Sequence, residues 1–359
     1  MNISILTATW HYNLWDELIL LQEYKILKER YKDSRFFVFT YDKKSSLIED
    51  EIDYIQYFPS WIKKNPLKNI WYFWQNIKAI YKSDLVIIWW WWLIYEEEVQ
   101  SSSSPILQWK LRIFLAKLFR KKIIYFWIGI NVKKPANIKY LFSWKRTFVS
   151  VRDEKSSRAL ETIWIKNILM NDPVFLLEPE KKIHTENTKI IWISLRKWYL
   201  INEKENIKQI VLYLSRLWYK LIFLSHSIHK EDILANDYEF LSDIARKYNI
   251  EITRTIKDTL SYYKKLDFVI WMRLHSLIIS LVYNIPFLAL SYSQKTDELL
   301  KGFNYDFIIN PKEFIFTDFI KSFEDLEKNA SKFDFKGKIS TIKSDLNLNI
   351  NKIIKYGLE

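Results

Sequence analysis

The chain has 359 residues, about half of them apolar, a formal charge of +13 and no cysteine. That length holds two ordinary domains, and the missing thiols exclude disulfides, thiolate metal sites and cysteine nucleophiles, as suits a reducing compartment. No run of about 20 apolar residues is free of charge, and no basic-then-apolar leader precedes the first apolar run, so neither a membrane span nor a signal peptide is expected and the location reads as cytoplasmic.

Apolar runs alternate with amphipathic stretches along the whole chain. Residues 3–7 read as a strand and 16–31 as a helix, with Leu18, Leu21, Tyr24 and Leu27 on one face. Strands follow at 36–40 and 85–88, with a helix at 69–81 between them. A helix at 106–119 and strands at 122–126 and 147–151 come next, and Asp153 with Ser156 opens another helix. Residues 178–188 are charged and polar around Pro179 and read as a linker. Beyond them, strands at 190–195, 220–224, 268–270, 287–290 and 307–309 alternate with helices at 206–217, 237–248, 274–283 and 294–300. A lysine-rich helical stretch follows from 314. Such alternation builds parallel sheets. The expected fold is α/β, with two Rossmann-like domains whose sheets face across a cleft. They comprise residues 1–177 and 189–345, with a linker at 178–188 and a tail at 346–359.

The glycine and tryptophan contents are anomalous. There are 4 glycines and 17 tryptophans, whereas about 7% glycine is usual. The tryptophans stand where glycine is expected. Trp89 to Trp92 follow a strand, Trp10 and Trp15 flank the first strand-to-helix loop, and Trp271 follows a strand end. Trp164 and Trp218 come just after helices, a place glycine usually fills. We read most of them as positions where the working protein carries glycine, as in an organism that decodes UGA as glycine. Trp109, inside a helical pattern, is the expected exception. A chain truly rich in tryptophan must instead place four consecutive indoles in a turn, where bulky residues cost strain and glycine does not.

Several loops at strand ends carry groups suited to an anionic or hydroxylated ligand. With glycine at 10 and 15, the first loop reads Gly-x-x-Asn-x-Gly-Asp-Glu, and Asn13 and Asp16 can bond sugar hydroxyls. Asp16 can equally cap the helix. The run at 89–92 and Trp127-Ile-Gly-Ile are further loops where bare backbone would admit a phosphate or sugar. In Ser150-Val-Arg-Asp-Glu-Lys-Ser, Arg152 ends a strand and can grip carboxylate or phosphate in a bidentate fork. A lone arginine is more often half of a salt bridge. Arg273 and His275 sit where a strand turns into a helix, the place where ligands gather in open α/β sheets. There an arginine can hold an anion and a histidine can deliver a proton. Arg196 follows another strand, and Lys295 closes Tyr292-Ser-Gln-Lys. His226, His229 and Asp232 suggest metal ligands, but no fourth ligand is evident; loop histidines are the better reading and no metal is expected.

With glycine restored, these pieces follow in one order, joined by Asp172-Pro173, Gly-Ile-Ser-Leu-Arg at 192–196, Gly-Met-Arg-Leu-His at 271–275 and Ile285-Pro286. Together they resemble the polysaccharide pyruvyl transferase family over roughly residues 3–310. The resemblance implies a GT-B-like fold and transfer of pyruvate from phosphoenolpyruvate to a sugar as a ketal, during cell-surface polysaccharide synthesis. Phosphoenolpyruvate is then a co-substrate and no cofactor is implied. The resemblance further implies donor binding by Arg273 and Arg152, to which Leu274 and Lys295 are added; His275, whose charge changes near neutral pH, is the expected acid that protonates the enol methylene. Asn13, Asp16 and Arg196 fall to the acceptor, with Asp16 placed to orient or deprotonate a hydroxyl.

Two rival functions stay open on the residues. A nucleotide-sugar glycosyltransferase of the same shape would set Arg196, Arg273 or Lys295 on a diphosphate. A non-catalytic basic protein would bind a membrane or nucleic acid. For the latter, the helix at 106–119 and its end offer Lys110, Arg112, Lys117, Arg120, Lys121 and Lys122. That face is either solvated or touches anionic lipid at the inner side of the cytoplasmic membrane, which would suit a lipid-linked acceptor. Nucleic acid is not the expected partner.

Overall fold

A computed structural model describes residues 1–7, 13–40, 47–48, 52–58, 66–89, 94–95, 105–183, 188–195, 202–228, 236–272 and 274–358. The chain forms two compact units. The first holds Met1–His11, Ile19–Pro173 and Ile342–Glu359; the second holds Tyr12–Leu18 and Val174–Thr341.

The first unit is built from β1 (Asn2–Thr7), α1 (Leu14–Arg30), β2 (Arg35–Thr40), β3 (Asp53–Gln56), α2 (Pro66–Lys82), β4 (Leu85–Trp89) and the short β5 (Ile94–Tyr95). Then come α3 (Pro105–Leu118), β6 (Lys122–Ile128), β7 (Ile130–Asn131), α4 (Lys139–Phe142), β8 (Thr147–Val151), α5 (Glu154–Glu161) and β9 (Ile168–Leu169). The main sheet runs in the order β3-β2-β1-β4-β6-β8-β9, and its strand pairs are parallel. Ile5 of β1 lies opposite Val38 on one side and Ile87 on the other. β2 and β4 are near-continuous apolar runs, and β1 is interrupted only by the buried Ser4, because helices cover both faces. β5 and β7 pair separately.

The second unit contains β10 (Ile190–Ser194), α6 (Glu203–Arg216), β11 (Lys220–Phe223), α7 (Asp237–Tyr248), β12 (Glu251–Ile252), α8 (Ile256–Tyr262) and β13 (Phe268–Trp271). It continues through α9 (Leu274–Val282), β14 (Phe287–Leu290), α10 (Gln294–Gly302), β15 (Ile308–Ile309) and α11 (Phe316–Asn329). Its sheet, also parallel, runs β12-β11-β10-β13-β14-β15. The last helix, α12 (Lys336–Leu358), begins in this unit and passes into the first at Ile342.

Residues 346–359 are therefore no tail. Leu346, Ile350, Ile353 and Ile354 are buried. Tyr31 donates its hydroxyl proton to the Ile354 carbonyl at 3.1 Å, and Arg30 Nη2 donates to Asn351 Oδ1 at 3.3 Å. Every residue of α1 from 14 to 24 is buried, and Glu23, Ile26 and Leu27 lie against Ile350, Ile353 and Ile354.

The described backbone turns left-handed at Arg120, Trp127, Trp164, Trp218 and at Asn202, Asn249, Asn284 and Asn304, and at no glycine. Trp218 lies just past α6. Its N–H reaches the Ser215 carbonyl while the Tyr219 N–H reaches Leu214. The same pair of bonds joins Trp164 to Glu161 and Ile165 to Leu160 after α5. Both are Schellman closures, whose left-handed residue is ordinarily glycine. Both indoles stand 88% exposed with φ of 63°.

Candidate functional site

In the first unit, the loops after β6 and β8 are stitched together by the Ser150–Ser156 motif. Ser150 Oγ accepts from Trp127 N at 2.9 Å and donates to the Tyr125 carbonyl at 3.1 Å. Ser156 Oγ accepts from Ile130 N at 2.8 Å and donates to Asp153 Oδ1 at 2.7 Å. Asp153 also caps α5 by accepting from Ser156 N at 2.8 Å. Arg152 Nε donates to Asp153 Oδ2 at 2.9 Å, with the guanidinium side chain only 11% exposed. Burial lowers the Arg152 pKa, against the opposing pull of Asp153 and Asp172. Burial works to raise the Asp153 carboxyl, but bonds from Ser156 and the Arg152 charge outweigh it and leave it below the usual range. The result is a fixed, largely desolvated cation and its counter-ion at the C-terminal end of β8.

In the second unit, polar groups converge past the ends of β10, β11 and β13. His226 lies in the loop past β11, as expected, but is only 1% exposed. Its Nδ1 lies 3.1 Å from Ser194 Oγ, and its Nε2 lies 3.1 Å from both Tyr263 Oη and Ser276 Oγ. Its ring stacks on Trp192 at 4.7 Å. Burial pushes the Tyr263 hydroxyl well above the usual phenol range, so it remains a donor. Asp237 Oδ2 accepts from the backbone N–H groups of His226 and Ser227 at 3.2 and 3.1 Å. This histidine therefore ties β10 and β11 to the first turn of α9, where Ser276 follows His275. The signal was present in the sequence, a histidine three residues past a buried strand, but its partners are distant in the chain.

The same loop holds the start of α1. Leu14 N donates to the His226 carbonyl at 2.8 Å, and Asn13 bridges Ser227. Asn13 Oδ1 accepts from Trp15 N at 3.1 Å. The cap of α1 is thus Asn13, and Asp16 sits buried in the first turn.

Arg273, Arg196, Trp10, Trp90 to Trp92, His229 and Asp232 lie outside the described residues, as do the side chains of His275 and Lys295. The backbone sets Leu274 and His275 at the head of α9, directly after β13, and Lys295 at the head of α10. Among the described residues no group of three metal-ligating side chains comes together. An open hollow of about 490 Å³ is lined by Tyr219, Lys220, Asn249 and Glu251 at the starts of β11 and β12, the opposite ends of these strands from His226.

Two parallel α/β units of this kind define the GT-B class of fold. The UDP-GlcNAc 2-epimerase of Neisseria meningitidis bound to UDP-GlcNAc is similar at 13% identity, covering 100% of both chains with a TM-score of 0.60. A glycosyltransferase from Rickettsia africae is similar at 13% identity, covering 99% of this chain and 97% of its own, with a TM-score of 0.58. At such identity the likeness is one of fold. No curated protein matches the chain by sequence. The profile of the polysaccharide pyruvyl transferase family matches residues 16–294, and the chain belongs to that family.

Proposed function

We propose that this protein transfers pyruvate from phosphoenolpyruvate to a saccharide, closing a ketal across two hydroxyls, on the cytoplasmic side of cell-surface polysaccharide synthesis. The family match over residues 16–294 carries this reading. It spans the β13-to-α9 switch with Arg273, Leu274 and His275.

Phosphoenolpyruvate is small and strongly anionic, so it needs fixed cations; Arg273 and Arg152 supply them, with Lys295 as a third. His275 protonates the enol methylene, which makes C2 electrophilic. One sugar hydroxyl adds to C2, phosphate leaves with the C2–O bond electrons, and the second hydroxyl closes the ring. One hydroxyl proton restores His275 and the other leaves with phosphate. Asn13, Asp16 and Arg196 serve the acceptor.

The competent form of this site carries glycine at most of the tryptophan positions. The indole N–H groups of Trp89, Trp192 and Trp271 are buried without a hydrogen bond, at a cost of about 1–3 kcal/mol each, but so is that of Trp109; the support comes from the backbone, which is left-handed at Trp164 and Trp218. Trp127 holds φ at 52°.

The test is phosphate release from phosphoenolpyruvate in the presence of a saccharide acceptor. His275→Ala lowers turnover by roughly 100-fold or more with donor KM little changed. Arg273→Ala chiefly raises donor KM. Full turnover by His275→Ala removes histidine from the acid role. Nucleoside diphosphate release without phosphoenolpyruvate consumption assigns the chain to sugar transfer instead.

A further inference from the structure

The first unit turns to solvent a face that is apolar and basic at once. On α2, Leu67, Ile70, Trp71, Trp74 and Tyr81 recur at spacings that line one side of a helix. They stand 78, 57, 59, 62 and 63% exposed. On α3, Phe114 and Leu118 are 58 and 57% exposed. The two helices share one core, with Ala79 and Ile80 of α2 in the same buried cluster as Ile113 and Ala116 of α3. The Tyr81 and Phe119 rings meet at 5.3 Å, and Lys121 Nζ donates to the Tyr81 carbonyl at 2.7 Å. The two rows therefore lie on adjacent helices of one surface. Neither helix contains an acidic residue. Lys68, Lys78, Lys82, Lys110 and Arg120 are exposed along them. Contiguous apolar exposure of this kind marks a docking surface.

We propose that the α2–α3 face docks the protein on an anionic lipid bilayer, its apolar rows in the headgroup boundary and its lysines on lipid phosphates. Charge selects this occupant. Two helices that carry lysines and no acidic residue complement an anionic surface, whereas a two-fold contact with a second copy would set the same cations against one another. Nucleic acid would meet the cations and leave the apolar rows without a role. The exposed Tyr81 ring suits the membrane boundary, with an apolar body and a polar edge. Leu67, Ile70, Tyr81, Phe114 and Leu118 preserve the face whichever residue stands at 71 and 74. Presenting the site to a lipid-linked saccharide is a consequence that rests on the ketal-transfer reading; the docking itself does not.

Flotation of the full chain with vesicles tests this. The protein rises with vesicles of phosphatidylcholine and phosphatidylglycerol, stays behind with phosphatidylcholine alone, and is released by about 1 M salt, where charge screening is nearly complete. Lys68→Ala and Lys78→Ala each weaken anionic-vesicle binding about fivefold. The pair Ile70→Ser and Leu118→Ser weakens it by roughly tenfold or more with unchanged circular dichroism. Three results overturn the proposal: no flotation with anionic vesicles at low salt, flotation that the variants leave unchanged, or sedimentation showing a dimer that the serine pair splits. No turnover is read, so failure here leaves ketal transfer standing, and failure of ketal transfer leaves docking standing.

Discussion

Glu23 in the first unit and His226 in the second are each only 1% exposed, yet their surroundings are opposite. His226 lies past a strand end among Ser194, Tyr263 and Ser276, and both ring nitrogens have partners. Glu23 lies mid-way along α1, behind the sheet, in a cavity of about 10 Å³ walled by Ile26, Leu27, Ile87, Phe126, Ile350 and Ile353. Neither of its carboxyl oxygens has a hydrogen bond. The space suffices for about one water, but a stable buried water needs two or more polar partners, and the carboxyl is the only polar side chain there. Burial pushes the Glu23 pKa from 4.5 to about 8. The difference teaches where this fold puts its polar interior. Around His226 the ring and its three hydroxyl neighbours satisfy one another; behind the sheet the Glu23 carboxyl is tolerated by keeping its proton.

The largest expected effect tests the isolated member of the pair. The folded-state pKa of Glu23 is raised, so its stabilisation is full below about pH 4.5 and is lost as pH climbs towards 8. By pH 7 that loss is about 3 kcal/mol. Glu23→Gln removes this slope, so urea unfolding of variant and parent diverges between about pH 5 and 8, with the variant gaining. Parallel profiles would mean that the carboxyl has found a partner.

A smaller effect is expected at the satisfied member. His226→Ala leaves the Ser194, Tyr263 and Ser276 hydroxyls short of a partner and costs about 2 kcal/mol, read as a lowered urea midpoint. His226→Gln recovers part of it. A loss below about 0.5 kcal/mol would show that the cluster contributes little and that the contrast with Glu23 is only one of geometry.

The smallest effect extends the comparison from buried groups to exposed backbone. Trp164→Gly and Trp218→Gly each relieve a left-handed indole and gain about 1 kcal/mol, seen as a raised Tm. Asn249→Gly, at an equivalent helix end, changes less because asparagine tolerates that conformation. Equal responses at 218 and 249 would remove the argument that these tryptophans replace glycine.

Much of this was legible in the sequence because central strands such as β4, β10 and β13 are short apolar runs between helical patterns. β14 and α7 fall on the expected residues. The edge strands β3 and β12 were not expected, since Asp-Tyr-Ile-Gln and Glu-Ile present no apolar run and lie at sheet margins. The short α8 was also missed, although Thr255 caps it by accepting from Asp258 N at 3.0 Å. The helix ends at Trp164 and Trp218 were legible because a left-handed closure is local. The burial of Glu23 and the role of His226 were not, because their surroundings come from segments more than 30 residues away, as with Ser194 and Tyr263.

The path of α12 has a consequence for synthesis on the ribosome. Domains generally fold as they emerge, the N-terminal one first. Here residues 1–173 can leave the exit tunnel and still lack the strip, 342–359, that seals α1. Until the second unit has also been translated, Glu23 and its isoleucine neighbours stay wet. A nascent chain of this protein thus carries an open seam on its first unit for most of its translation, a window in which a chaperone that reads exposed apolar helix would find it.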